Sequence, residues 1–96
     1  MNSTEFKTGL KKVSNQLKGL TISFITPFGV TPFKSLNAFG NAILEEEAKG
    51  NILDVTQVWT SNGIVQVSSF DQLSNLLQTS NVKAVQFQAI AIQDWN

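Results

Sequence analysis

Few residue types in this chain can do covalent or metal chemistry. Its 96 residues include no histidine, cysteine, tyrosine or arginine. Serine–histidine and cysteine–histidine nucleophile pairs are therefore excluded. Zinc centres built on imidazole or thiolate are excluded too, as are disulfides. The glycines are scattered, and neither a phosphate-cradling loop nor a dinucleotide fingerprint occurs. What remains is carboxylates and lysines. Glu45, Glu46 and Glu47 form a run, while Asp54, Asp71 and Asp94 stand apart. Consecutive helical side chains point about 100° apart, so the three glutamates do not converge on one ion or one proton. They read as a solvated acidic face rather than a metal or acid/base site. No cofactor and no enzymatic activity are expected.

Charge narrows the partners further. Seven lysines balance seven acids, so the formal net charge is zero. A duplex nucleic-acid binder normally carries excess basic charge, because phosphate neutralisation dominates its affinity. The absence of arginine also removes the planar fork suited to phosphate and carboxylate. Hydrophobic residues make up 42% and charged residues 15%, the balance of a globular chain. No apolar run approaches the ~18 residues of a membrane span, and polar residues with lysines break every apolar run before Leu20, unlike a secretory leader. The expectation is a cytoplasmic protein of one domain, residues 1–96. The lysine-only, Asn- and Gln-rich composition suits a phage accessory protein that inhibits or redirects a host protein in the host cytoplasm.

The elements that must position any site follow from periodicity. Phe6, Leu10, Val13 and Leu17 recur at helical spacing over residues 3–18, with Ser3 or Thr4 as N-cap and Gly19 as stop. Residues 1–19 thus form a basic, amphipathic N-terminal helix bearing Lys7, Lys11 and Lys18, with Gly9 weakening it by about 1 kcal/mol relative to alanine. Leu20, Ile22 and Phe24 alternate with Thr21, Ser23 and Ile25 as a strand, which Pro27 ends and Gly29 turns. Thr31 then reads as an N-cap with Pro32 at the first helical position, giving a helix from Pro32 to about Lys49. Phe33, Leu36, Phe39, Ile43 and Leu44 make its stripe, and Gly40 suggests a close backbone approach. The segments "ILDVTQVW" and "IVQVSS" flank Asn62-Gly63, a type I′ hairpin signal. Ser69 caps a third helix with the stripe Phe70, Leu73, Leu76 and Leu77. "VKAVQFQAIAIQDW" is the last strand, with Val85, Phe87 and Ala89 on one face and Gln86, Gln88 and Ile90 on the other.

Residues 20–96 therefore read β-α-β-β-α-β, the split pattern of ferredoxin-like folds. The fold class is α+β: a four-stranded antiparallel sheet with two helices on one face, preceded by the N-terminal helix. This is a superfold shared by unrelated functions and implies no activity.

With Asn62 and Gly63 as the loop, Ser61 faces Ile64, Thr60 faces Val65, Trp59 faces Gln66 and Val58 faces Val67. If Val58, Val65 and Val67 meet the helices, then Val55, Gln57, Trp59, Ile64 and Gln66 line the opposite face. Gln86 and Gln88 join them, as do Ser23 and Ile25. A tryptophan among glutamines on an open sheet is a candidate contact patch. The stripe Phe6, Leu10, Val13 and Leu17 also needs a partner, either that open face or another molecule, and a helical stripe alone does not choose. Phe28 and Val30 could be displayed on a loop, although aromatics at a strand end more often belong to the core. The expected function is a non-enzymatic protein-binding module acting through Trp59, Gln57, Gln66, Ile64, Gln86 and Gln88, through Phe6, Leu10, Val13 and Leu17, or both. Its partner would be another protein or a second copy. The alternative is single-stranded nucleic acid on the sheet, with Lys7, Lys11, Lys12 and Lys18 meeting phosphates; it lacks stacking aromatics on the expected central strands. Membrane-surface attachment through the basic helix is weakened by Ser14, Asn15 and Gln16.

Overall fold

The computed structural model describes residues 3–26 and 29–90. In chain order these form α1 (Ser3–Val13), β1 (Thr21–Thr26), β2 (Gly29–Phe33), α2 (Leu36–Ala48), β3 (Ile52–Thr60), β4 (Gly63–Gln66), α3 (Phe70–Thr79) and β5 (Val82–Ile90). The protein is α+β, with the expected N-terminal helix, but its sheet differs from the ferredoxin-like expectation. Five strands run in the order β2-β1-β5-β3-β4. β1 and β5 are parallel, while the other neighbouring pairs are antiparallel. The sheet is therefore mixed, and β5 is its central strand.

The extra strand is the segment containing the second Thr-Pro-Phe. Thr31 does not cap a helix. It pairs with Phe24, while Pro32 pairs with Ser23 and Phe33 with Ile22. An edge strand pairs along one side only, so a proline without an N–H is tolerated there. Pairing with β2 also occupies the side of β1 that β5 does not reach. Helix α2 starts later, at an N-cap on Ser35, whose Oγ accepts from Ala38 N at 3.1 Å. Its end is as expected. Gly50 has φ +78, and its N–H bonds Glu47 O at 3.0 Å while Asn51 N bonds Glu46 O at 3.0 Å, the paired bonds of a Schellman cap. β1 stops at Thr26. The expected turn residues Pro27 and Phe28, and Asp94 and Trp95 at the other end, lie outside the described residues.

Adding β2 reverses the chain before α2. β2 and β3 consequently run parallel and are joined through α2, just as β4 and β5 run parallel and are joined through α3. Five strands at about 4.8 Å spacing extend about 20 Å centre to centre. Helices pack about 8–10 Å apart, so two of them leave such a face partly bare. α1 fills the remainder. Phe6 is fully buried, edge-on to Phe70 of α3 at 5.4 Å and to Phe87 of β5 at 5.6 Å. Phe39 of α2 meets Phe87 at 4.9 Å. The central strand's Phe87 thus touches one phenylalanine from each helix. Ile22, Phe24, Leu53, Val58, Val85 and Leu73 complete the core. α1 ends at Val13, earlier than the expected Lys18; turns then carry the chain through buried Leu17 to Gly19 at φ +82.

Gly9 has a tertiary reason. A Cβ there would lie 2.3 Å from Phe70 Cδ2, so α1 approaches α3 only because that position lacks a side chain. Gly40 does not mark a close approach, since nothing lies within 4 Å of where its Cβ would be.

Candidate functional site

All three described helices pack on one side of the sheet, so no described helix covers its other side, although Ser23 there is only 6% exposed. What reaches that side is set by two local features of β3 and β4. The first is a bulge. Val55 pairs with Phe87 and Gln57 with Gln86, leaving Thr56 as an extra residue. The bulge resets the in–out alternation, so Leu53, Val55 and Val58 all point to the helices while Gln57 and Trp59 point away. Val55 is therefore corrected from the open face to the core, where it is 2% exposed.

The second feature is the hairpin. A type I′ turn needs positive φ at both loop residues, and Asn62 has none; only Gly63 does, at φ +123. The loop is instead Ser61-Asn62, held by Thr60 Oγ1, which accepts from Asn62 N at 3.1 Å and donates to Gly63 O at 2.9 Å. The register becomes Thr60–Gly63, Trp59–Ile64, Val58–Val65 and Gln57–Gln66. This differs from the expected pairing by two residues. Strand faces have period two, so Trp59, Ile64 and Gln66 keep their predicted side. Val65 points toward the helical side but lies on the edge strand and remains partly exposed, at 37%.

The outward residues form three rows across the sheet. The middle row runs Pro32, Ser23, Gln86, Gln57 and Gln66. One flanking row holds Thr21, Ala84, Trp59 and Ile64; the other holds Val30, Ile25, Gln88 and Asp54. The amides are linked. Gln66 Nε2 donates to Gln57 Oε1 at 3.2 Å, and Gln57 Nε2 donates to Gln86 Oε1. Trp59 Nε1 donates to the same Gln86 oxygen at 3.3 Å. The indole is thus held in one orientation with 44% of its surface exposed, beside Ile64 at 55%. Val30 is exposed separately, at 57%, in the other flanking row at the far, β2 edge. The structure brings together Trp59, Gln57, Gln66, Ile64, Gln86 and Gln88.

It does not bring the helical stripe to this surface. Phe6, Val13 and Leu17 are core residues and Leu10 is half-buried against them, because the same stripe completes the helical side. Phe6, Val13 and Leu17 have no surface to offer a partner, and Leu10 shows only its partly exposed side, away from the open face of the sheet. The placement also separates the features invoked for nucleic acid. Lys7, Lys11 and Lys12 ride on α1, on the side of the sheet opposite Trp59. Lys7 pairs with Glu47 across to α2. Trp59 is the one aromatic among the described outward residues of β1, β5 and β3.

The carboxylates are dispersed. Glu46 accepts from Asn51 and lies 3.7 Å from Lys49, while the Asp54 carboxylate accepts from Val55 N at 2.9 Å. Among the described residues no group of three or more His, Cys, Asp or Glu could hold a metal ion, and no helix is long and apolar enough to cross a membrane. An open groove of about 700 Å³ separates α1 from α2, floored by Leu10, Phe39, Ile43 and Leu44 and bordered by Lys7 and Lys11. Sequence reasoning did not locate it, since it arises from how two helices sit on the sheet. Comparison with protein-family models, with curated proteins and with solved structures gives no match.

Proposed function

We propose that this chain is a non-enzymatic protein-binding module whose contact surface is the open face of its sheet, centred on Trp59 and the glutamine row. The observation that carries this reading is the packing of α1, α2 and α3 on one side of the sheet, with an oriented, 44% exposed tryptophan left on the other. Protein interfaces concentrate their energy in a few such aromatics, ringed by polar groups and depleted of charge at the centre. The middle row fits that description: its described members carry no formal charge. The hydrogen bonds among Trp59, Gln57, Gln66 and Gln86 fix the side chains beforehand, which lowers the ordering cost of binding.

Site-directed photo-crosslinking tests it. A benzophenone side chain at position 64, on the open face, should give discrete adducts with protein in the producing cell. The same group at position 78, on the exposed side of α3, should give none. Equal labelling from both positions, or no adduct from position 64, would remove the open face as a contact surface.

A further inference from the structure

The open-face reading leaves the partner unspecified, and the chemistry of the face narrows it. Gln66, Gln57 and Gln86 sit side by side on β4, β3 and β5. Gln86 Oε1 already accepts from Gln57 and Trp59. The Gln86 Nε2 donor and the Gln66 Oε1 acceptor have no partner among the described residues, so the row keeps both donor and acceptor capacity for a second copy of itself. A lysine or glutamate in that place would face a like charge. Charged groups lie off this row. Asp54 is in the flanking row on one side, and Lys83 falls at the register break beside Trp59 and Thr60 on the other.

Two further observations concern shape. Both sheet edges are poorly suited to pairing with another chain, since β2 carries Pro32 and β4 is only four residues long. Contact through the open face remains. Strands of four to nine residues, at about 3.3 Å rise and 4.8 Å spacing, give a face of about 500 Å². Two such faces, covered completely, bury at most about 1,000 Å² in all, the threshold for a specific interface and short of the ~1,200–2,000 Å² of stable ones.

We propose that the partner is a second copy of this chain, packed face to face about a two-fold axis that runs along the glutamine row. It rests on the open-face reading and adds the identity and geometry of the occupant. That axis sets Gln86 against the partner's Gln86. It also reverses the strand direction between protomers, so the Trp59–Ile64 row of one lies over the Ile25–Gln88–Asp54 row of the other. Asp54 of each copy then lies at the rim, over the uncharged Trp59–Ile64 row of its mate. The two sheets then stack as in a sandwich, about 10 Å apart.

Light scattering on the full chain should give twice the chain mass at high micromolar concentration. Gln86→Lys and Gln86→Glu each place like charges across the axis, and each variant alone should have the mass of one chain. Mixing the two should restore the doubled mass, since only a residue that faces its own copy shows this pattern. Far-UV circular dichroism checks that both variants are folded. In a Trp95→Phe background, Trp59 emission should shift to the red on dilution or on introducing Gln86→Lys. Three results overturn the proposal: a single-chain mass for the unmodified protein, dimers unaffected by either charge, or two monomeric variants that do not recombine. If the chain is monomeric while position 64 still crosslinks to a different protein, the open-face reading stands and self-pairing fails. If there is neither dimer nor adduct, both fall.

Discussion

Replacing Gly9 with alanine should destabilise the protein although alanine is the better helix former. In a helix interior the exchange favours alanine by about 1 kcal/mol. At this position the new Cβ would meet Phe70 Cδ2 at 2.3 Å, Cγ at 2.5 Å and Cε2 at 2.9 Å. Carbon–carbon contacts are comfortable at about 3.5–4.0 Å, so the ring or the helix must yield by about 1 Å. Phe70 has little freedom to do so, being 8% exposed and wedged between Phe6 and Phe87. Overpacking of this kind costs about 1–3 kcal/mol, and disturbing the edge-to-face Phe6–Phe70 contact adds about 0.5–1.5 kcal/mol. The balance is a loss of about 2 kcal/mol. For a domain of this size that lowers the melting temperature by about 10 °C. Gly40→Ala is the internal control. It is also mid-helix, has an ordinary φ and meets nothing within 4 Å, so it should gain about 0.5–1 kcal/mol. Urea unfolding followed by circular dichroism, at one fixed protein concentration, measures both. The reasoning is refuted if Gly9→Ala is as stable as the unmodified protein or more so, or if the two substitutions change stability in the same direction.

Thr56→Val should raise stability by about 1 kcal/mol in the same assay, because the bulge leaves Thr56 Oγ1 buried with no hydrogen-bond partner among the described residues; a loss of similar size would show that the hydroxyl is engaged. Ser69→Ala should cost about 1 kcal/mol by freeing the Gln72 N–H that Ser69 Oγ accepts at 3.1 Å, whereas Ser69→Gly should cost only a few tenths. Equal losses for alanine and glycine would place the effect outside capping.

How far the sequence reaches depends on the range of the interaction involved. The stop of α2 at Gly50, the capping of α3 by Ser69 and the alternation of β5 were all legible, because each is settled within a few residues by backbone sterics or a local hydrogen bond, whereas α1 ends at Val13, well before Gly19. The in–out parity of Trp59, Ile64, Gln66, Gln86 and Gln88 was legible too. It survived a misplaced turn because the register moved by two. Thr31-Pro32 was not legible. A threonine–proline pair satisfies a helix start and an edge strand equally well, and Ser35 offered a second cap a few residues on. Only the unpaired side of β1 decides between them. Val55 was misplaced because a bulge is defined by the strand opposite. Leu53, Val55 and Val58 break the alternation, but where it resets depends on β5.

By itself, then, the sequence determined which reactive side chains are missing, where most helices and strands lie and which side chains share a strand face. Those are properties of residue type and of chain geometry over a few residues. Tertiary structure alone decided the five-strand order, the docking of α1 beside α2 and α3, and hence which face of the sheet the described helices leave uncovered. An amphipathic stripe states that it must be buried but not against what. That choice was made by the width of a sheet two helices cannot cover, and by the space beside Phe70 and Phe87 that Phe6 fills.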